Sequence, residues 1–223
     1  ASFARGHGGL GVERAPARRG CLPAVAVLVR SRVARIALLL VGVHLFVRAV
    51  LAFGGYFYWD DLILVGRAGT QGLLSPGYLF DDHDGHVMPA AFLLAGAITR
   101  LATLQWAGPA LSLVGLAALA ALALLRALYV ILGWRPVLLV PLTFALFTPL
   151  AVPGFAWWAA GLNSLPMLAA MAWVCAEAIL LVRTGRQRHA WSAALVYVGA
   201  LLIFEKSAII GFVAFTIVAL SGH

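Results

Sequence analysis

The chain has 223 residues, 63% of them hydrophobic and only 11% charged, with a mean hydropathy of +0.99 and a net charge of +8. Soluble domains carry roughly 25% charged residues, so the composition excludes a water-soluble globule and points to an all-α, polytopic transmembrane helical bundle. The positive balance is not a nucleic-acid footprint. Lys206 is the only lysine, and most of the arginines stand in short segments between apolar runs, the pattern of charges that set membrane topology.

In chain order, residues 1–32 are rich in Arg, Gly and Pro and read as a basic cytoplasmic segment, with residues 33–223 forming the membrane domain. The first apolar run, 33–53, is long enough at about 20 residues to cross a bilayer. Arginines before it and acids after it place the N-terminus inside. His44 and Arg48 interrupt this run four residues apart, on one helix face. Ionisable groups in such a helix usually face the bundle interior or a wet cavity, although Arg48 can also snorkel to the outer interface.

Residues 56–89 hold five of the eight acids in the chain, Asp60, Asp61, Asp81, Asp82 and Asp84, together with His83 and His86. Apolar runs then follow at 87–104, 109–125, 137–152, 162–182, 190–204 and 207–220. If 87–104 crosses the membrane, Arg126, Arg135, Arg183, Arg186 and Arg188 fall outside. If it lies on the outer face, all of them fall inside, as the positive-inside rule requires. The expected architecture is therefore about six spans plus one outer juxtamembrane helix. That topology gathers three polar segments on the outer side: the acidic loop, the aromatic segment 148–166 and the turn at Glu205-Lys206. Cys21 and Cys175 have no metal spacing and form no disulfide framework. The chain starts without Met and ends on an apolar run, and is expected to be a piece of a longer protein that continues at its C-terminus.

Within these segments, Asp60 and Asp61 are adjacent, so their side chains diverge on a helix or strand. One carboxylate is expected to face the reacting groups while the other caps or orients. Such a carboxylate can act as general base toward an acceptor hydroxyl, or hold a divalent cation through oxygen. An ordinary helix N-cap is the plainer alternative. The run from Asp81 to His86 fits neither a closed zinc motif nor an EF-hand loop. It suits a loosely held Mg²⁺ or Mn²⁺ beside a phosphate, with Asp61 and Asp84 as the expected ligands and His86 as an alternative phosphate donor. His83 reads as a solvated loop residue. Glu205 and Lys206 sit between apolar runs, where pairing only partly offsets the cost of burying charge, and Lys206 is placed to bind a lipid-linked phosphate. Trp157 and Trp158 read as interfacial anchors, Trp158 being a candidate face for a sugar ring. Asn163 is expected to cap the following span or to line the cavity.

These segments resemble the GT-C class of integral-membrane glycosyltransferases, in the branch of the protein O-mannosyltransferases and the lipid A aminoarabinose transferases. Tyr58-Trp59-Asp60-Asp61 looks like that family's acidic pair after the first span, and His86-Val87-Met88-Pro89 like a degenerate His-Pro element leading into a juxtamembrane helix. The stretch around Glu205-Lys206 is similar to its Leu-Thr-Lys-Gly-type turn. The Pro-Pro is reduced to Met88-Pro89, and only Asn163 stands near the place of a second loop acid. The likeness runs from about residue 33 to the end, the N-terminal half or so of such an enzyme. It implies transfer of a sugar from a polyprenyl-phosphate donor to a hydroxyl of a glycan, lipid or protein acceptor, with inversion, at the extracytoplasmic face of the plasma membrane. Asp60 or Asp61 would be the base or metal-adjacent carboxylate, Lys206 would hold the donor phosphate, and His86, Glu205, Trp158, Asn163 and Arg48 would line the substrate site. The rival expectation is a transporter or flippase of a lipid-linked intermediate, which more often shows helices broken at the midplane and repeated halves.

Overall fold

A computed structural model describes residues 31–221, and every regular element among them is a helix. We number these α1 (Arg32–Phe53), α2 (Asp60–Thr70), α3 (Pro76–Leu79), α4 (Pro89–Leu101), α5 (Ala107–Leu132), α6 (Leu139–Phe147), α7 (Pro153–Ala156), α8 (Trp158–Thr184), α9 (Gln187–Ile203) and α10 (Ala208–Ser221). Short 3₁₀ turns join some of them, at Pro136–Leu138, Pro149–Ala151 and Glu205–Ser207. Cys21 and the basic segment 1–30 lie outside the described residues.

Among the described residues, three helices are long and apolar enough to cross a membrane: α1, α5 and α8. At 1.5 Å per residue, the 13 residues of α4, the 17 of α9 and the 14 of α10 reach only about 20, 26 and 21 Å, short of the roughly 30 Å hydrocarbon core. The expected spans 190–204 and 207–220 are therefore not matched by membrane-length helices. The run 137–152, expected as one span, is instead broken into a 3₁₀ turn, the nine residues of α6 and a second 3₁₀ turn. The cause is Pro149, which has no N–H to continue the ladder and biases Thr148 to its extended conformation (ψ 131°).

Ser31 starts α1, its Oγ accepting from the Ala34 N–H at 3.3 Å. The buried face of α1 is Ala34, Ala37, Val41, His44, Arg48 and Ala52, a three-to-four spacing that forms one stripe. The stripe meets Ala121 and Leu125 of α5 and Leu142 and Leu146 of α6. Small residues on these faces let the helix backbones approach closely, the means by which membrane helices pack without a hydrophobic driving force. The tightest approach is at Gly161 of α8, where a Cβ would fall 2.2 Å from Leu113 Cδ2 and 2.7 Å from the Gly154 carbonyl.

Between α8 and α9 the chain turns at Gly185, which takes the left-handed conformation at φ 64°. Behind this turn Glu177 is 3% exposed and accepts from Arg126 Nη2 of α5, while its other oxygen meets His189 Nδ1 of α9 at 2.6 Å. The Arg126 guanidinium lies 4.1 Å from the Trp173 ring centroid, and Trp173 Nε1 donates to Ser192 Oγ at 2.9 Å. This network ties three helices together at one end of the bundle.

Candidate functional site

The aspartate pair sits at the start of α2, after the non-helical link that leaves α1 at Gly54. Trp59, the residue before the pair, has φ 44°, a left-handed conformation that is costly for a bulky side chain. The cost is borne by the bonds around Asp61. Its Oδ2 accepts from the Tyr58 N–H at 2.9 Å, and its Oδ1 from the Ala159 N–H at 2.7 Å. Ala159 is in the first turn of α8, where backbone N–H groups lack partners within the helix, so the carboxylate caps that helix from outside. Asp61 is 0% exposed. Burial raises its pKa above the ordinary carboxylate value, the backbone N–H groups of Tyr58, Ala159 and Trp158 opposing the rise and the charge of Asp60 adding to it.

Asp60 is different. It is partly exposed, and its Oδ1 is enclosed without a hydrogen-bond partner. The structure thus divides the pair: Asp61 fastens α2 to α8, and Asp60 is left to face whatever binds. The metal ligands expected from the sequence change accordingly. The ligand atoms that converge are those of Asp60, His83 and Asp84, and Asp61 is not among them.

Residues 83–86 form a tight turn in which His83 and His86 exchange backbone hydrogen bonds at 3.1 and 3.0 Å, with Asp84 and Gly85 both at positive φ (54° and 82°). Arg67 of α2 steadies this turn from the side, donating to the Asp82 carbonyl at 3.1 and 3.2 Å and pairing with the Asp81 carboxylate at 3.4 Å. His83 is no solvated loop residue. It is 7% exposed, packed edge-on to Phe92 at the start of α4.

His86 Nδ1 and Glu205 Oε1 are hydrogen-bonded at 2.5 Å, joining the acidic loop to the turn before α10. Glu205 is therefore paired with His86, while Lys206 is exposed with its Nζ 5.2 Å from the Phe204 ring centroid. The second Glu205 oxygen is enclosed and unpartnered. Trp157 packs edge-on to Tyr58, and its Nε1 is likewise enclosed without a partner. Trp158, expected to present its ring to a sugar, is fully buried, edge-on to Phe57 and donating to Ser112 Oγ at 3.0 Å. It belongs to the core. Asn163 caps nothing: α8 starts at Trp158 and runs through Pro166, so Asn163 lies within the helix with its Oδ1 enclosed and unpartnered.

Arg48 and His44 lie further into the bundle, both 7% exposed. His44 Nδ1 donates to the Leu146 carbonyl at 2.8 Å and Arg48 Nη2 to the same oxygen at 3.3 Å. Leu146 is at the end of α6, where the break at Pro149 leaves a carbonyl with no helical partner. Both serve the broken helix and line an apolar cavity of about 440 Å³ bordered by Ala117, Leu150, Leu165 and Leu168. No family model matches the chain, and no curated protein or solved structure is significantly similar to it.

Sequence reading missed the buried Glu177 network and the burial of His83. Glu177 did carry a signal, as a lone acid inside the longest apolar helix. His83 carried none, because its burial depends on α4 folding back over the loop.

Proposed function

We propose that this chain is part of a membrane glycosyltransferase that moves a sugar from a polyprenyl-phosphate donor to an acceptor hydroxyl of a glycan, lipid or protein. The observation that carries the reading is the distribution of enclosed polar atoms without partners. Among the described residues there are seven, and five of them (on Asp60, Trp157, Asn163, Glu205 and Ser207) fall in three segments far apart in sequence. Buried polar atoms are nearly always satisfied, so such a concentration is where a polar ligand has something to bind. The Asp61–Ala159 and His86–Glu205 bonds hold those segments together.

In this reading Asp60 takes the proton of the acceptor hydroxyl as general base, with Asp61 holding the loop that carries it. Lys206 and His86 face the donor phosphate and stabilise the charge that develops as it leaves. The prenyl chain lies in the apolar cavity beside α1 and α8, with Arg48 at its lining. The topology proposed with it is six crossings in the plasma membrane, N-terminus cytoplasmic, with the interrupted run 137–152 as one of them. Non-helical backbone at that depth is tolerated where protein groups satisfy it, as His44 and Arg48 do for Leu146.

That same break favours a second reading, a transporter or flippase of a lipid-linked intermediate, because discontinuous helices flanking a cavity are common in transporters. The test is transfer of labelled sugar from polyprenyl-phosphate donors by the full-length protein in membranes, beside Asp60→Asn and Lys206→Met variants. Transfer abolished in Asp60→Asn and weakened in Lys206→Met supports the enzyme. Absence of transfer from every donor, with movement of the labelled lipid between the leaflets of liposomes, replaces it with the transporter.

A further inference from the structure

One ligand atom from each of Asp60, His83 and Asp84 lies within 4.8 Å of the other two. A divalent ion bound about 2.0–2.2 Å from each ligand spaces those atoms by about 3–4 Å, so side-chain rotation alone closes the group. The other acids of the loop are committed elsewhere or turned away: Asp81 pairs with Arg67, Asp82 is exposed, and Asp61 is held by backbone N–H groups.

An acidic cluster by itself is no site, but the buried imidazole is a separate observation. His83 is 7% exposed, its ring edge-on to Phe92, and its side chain has no hydrogen bond among the described residues. A mostly buried imidazole whose nitrogens have no protein partner remains open to coordinate a cation. Asp60 also keeps one enclosed oxygen, Oδ1, without a hydrogen-bond partner. The two groups come from different elements, α2 and the turn before α4, and their ligand atoms converge with that of Asp84.

We infer that Asp60, His83 and Asp84 form a divalent-cation site selective for a first-row transition ion such as Mn²⁺ over Mg²⁺. Two carboxylates balance the double charge. Mg²⁺ takes an all-oxygen shell, whereas an imidazole in the set favours Mn²⁺ or its neighbours. Three protein ligands leave positions open for water, a phosphate oxygen or a hydroxyl. The inference stands on these ligands alone and holds whether or not the chain transfers a sugar. In the transferase reading, it means that Asp60 acts on the acceptor through the cation.

The experiment is a titration of the full-length protein, purified in detergent and stripped with EDTA, with MnCl₂, following the free Mn²⁺ signal by electron paramagnetic resonance. One saturable Mn²⁺ per chain is expected, with affinity reduced at least about tenfold in Asp84→Asn and His83→Gln and unchanged in Asp82→Asn. Asp84 is exposed, so its variant folds even if the buried His83 variant does not. Mg²⁺ at the same concentration should fail to displace Mn²⁺. Absence of saturable binding, equal weakening in Asp82→Asn and Asp84→Asn, or displacement by equimolar Mg²⁺ would overturn the inference. Because no sugar enters the measurement, its failure leaves the transfer reading standing, and the reverse is equally true.

Discussion

Asp61→Ala and Asp60→Ala, made separately, should have unequal consequences for stability although the residues are neighbours of one type. Removing the Asp61 carboxylate leaves the Ala159 N–H buried and the Tyr58 N–H half-buried without acceptors. An orphaned buried donor costs about 1–3 kcal/mol. With Tyr58 at the low end of that range, the two together come to about 2–4 kcal/mol. Asp60 loses no hydrogen bond on truncation, because its enclosed oxygen has none. Its one local benefit is as an acid in the first turn of α2, worth about 0.3–1 kcal/mol, and relief of the unpartnered oxygen offsets that. Asp60→Ala should therefore fall within about 1 kcal/mol of the parent. The assay is unfolding in detergent with EDTA present, followed by tryptophan fluorescence. If Asp60→Ala is as destabilising as Asp61→Ala, the division of labour assigned to the pair is wrong.

The remaining expectations concern the rest of the frame. Glu177→Ala should cost about 3 kcal/mol, the low end for breaking a buried ion pair because Arg126 is partly exposed; the triple variant Arg126→Met, Glu177→Leu, His189→Leu should recover most of the loss in the same unfolding assay. Gly161→Ala should destabilise by about 1–3 kcal/mol through overpacking against Leu113 and the Gly154 carbonyl, and Gly115→Ala, where a Cβ would meet nothing within 4 Å, should not. A double-mutant cycle on His86→Ala and Glu205→Gln should give a coupling of about 0.5–3 kcal/mol; additive losses would mean that the pair does not join the loop to the turn before α10.

Composition and apolar run lengths were enough to read an all-helical fold with membrane-length helices, because a chain this apolar leaves the backbone few choices. α1 matches its run closely, whereas α5 continues past its run to Leu132. The run 137–152 looked like another span because hydropathy does not register a lost N–H. Pro149 removes one backbone donor without changing the polarity of the window, and α6 stops before it. The start of α8 was misjudged for the converse reason. Pro166 reads as a boundary, yet the helix passes through it to reach Trp158, where the Asp61 carboxylate supplies the missing acceptor. That acceptor comes from 98 residues away, and no local pattern contains it.

The site illustrates the same limit in chemical terms. Counting unusual residues singled out Asp60, Asp61, His86, Glu205 and Lys206, but a count treats every acid alike. What distinguishes them is whether their oxygens are used. Glu177 and Asp61 are each almost wholly buried, and in both cases the two carboxylate oxygens have protein partners. Such an acid is a fastening, and it has nothing left to offer a ligand. Asp60 and Glu205 are less buried, yet each keeps one enclosed oxygen with no partner. Burial by itself would rank Glu177 and Asp61 as the reactive acids. Satisfaction reverses that order, because only a group with an open valence can hold a cation or take a proton. Asp60 is therefore the carboxylate on which both the transfer reading and the cation site depend, and Asp61 is the residue that makes its position possible.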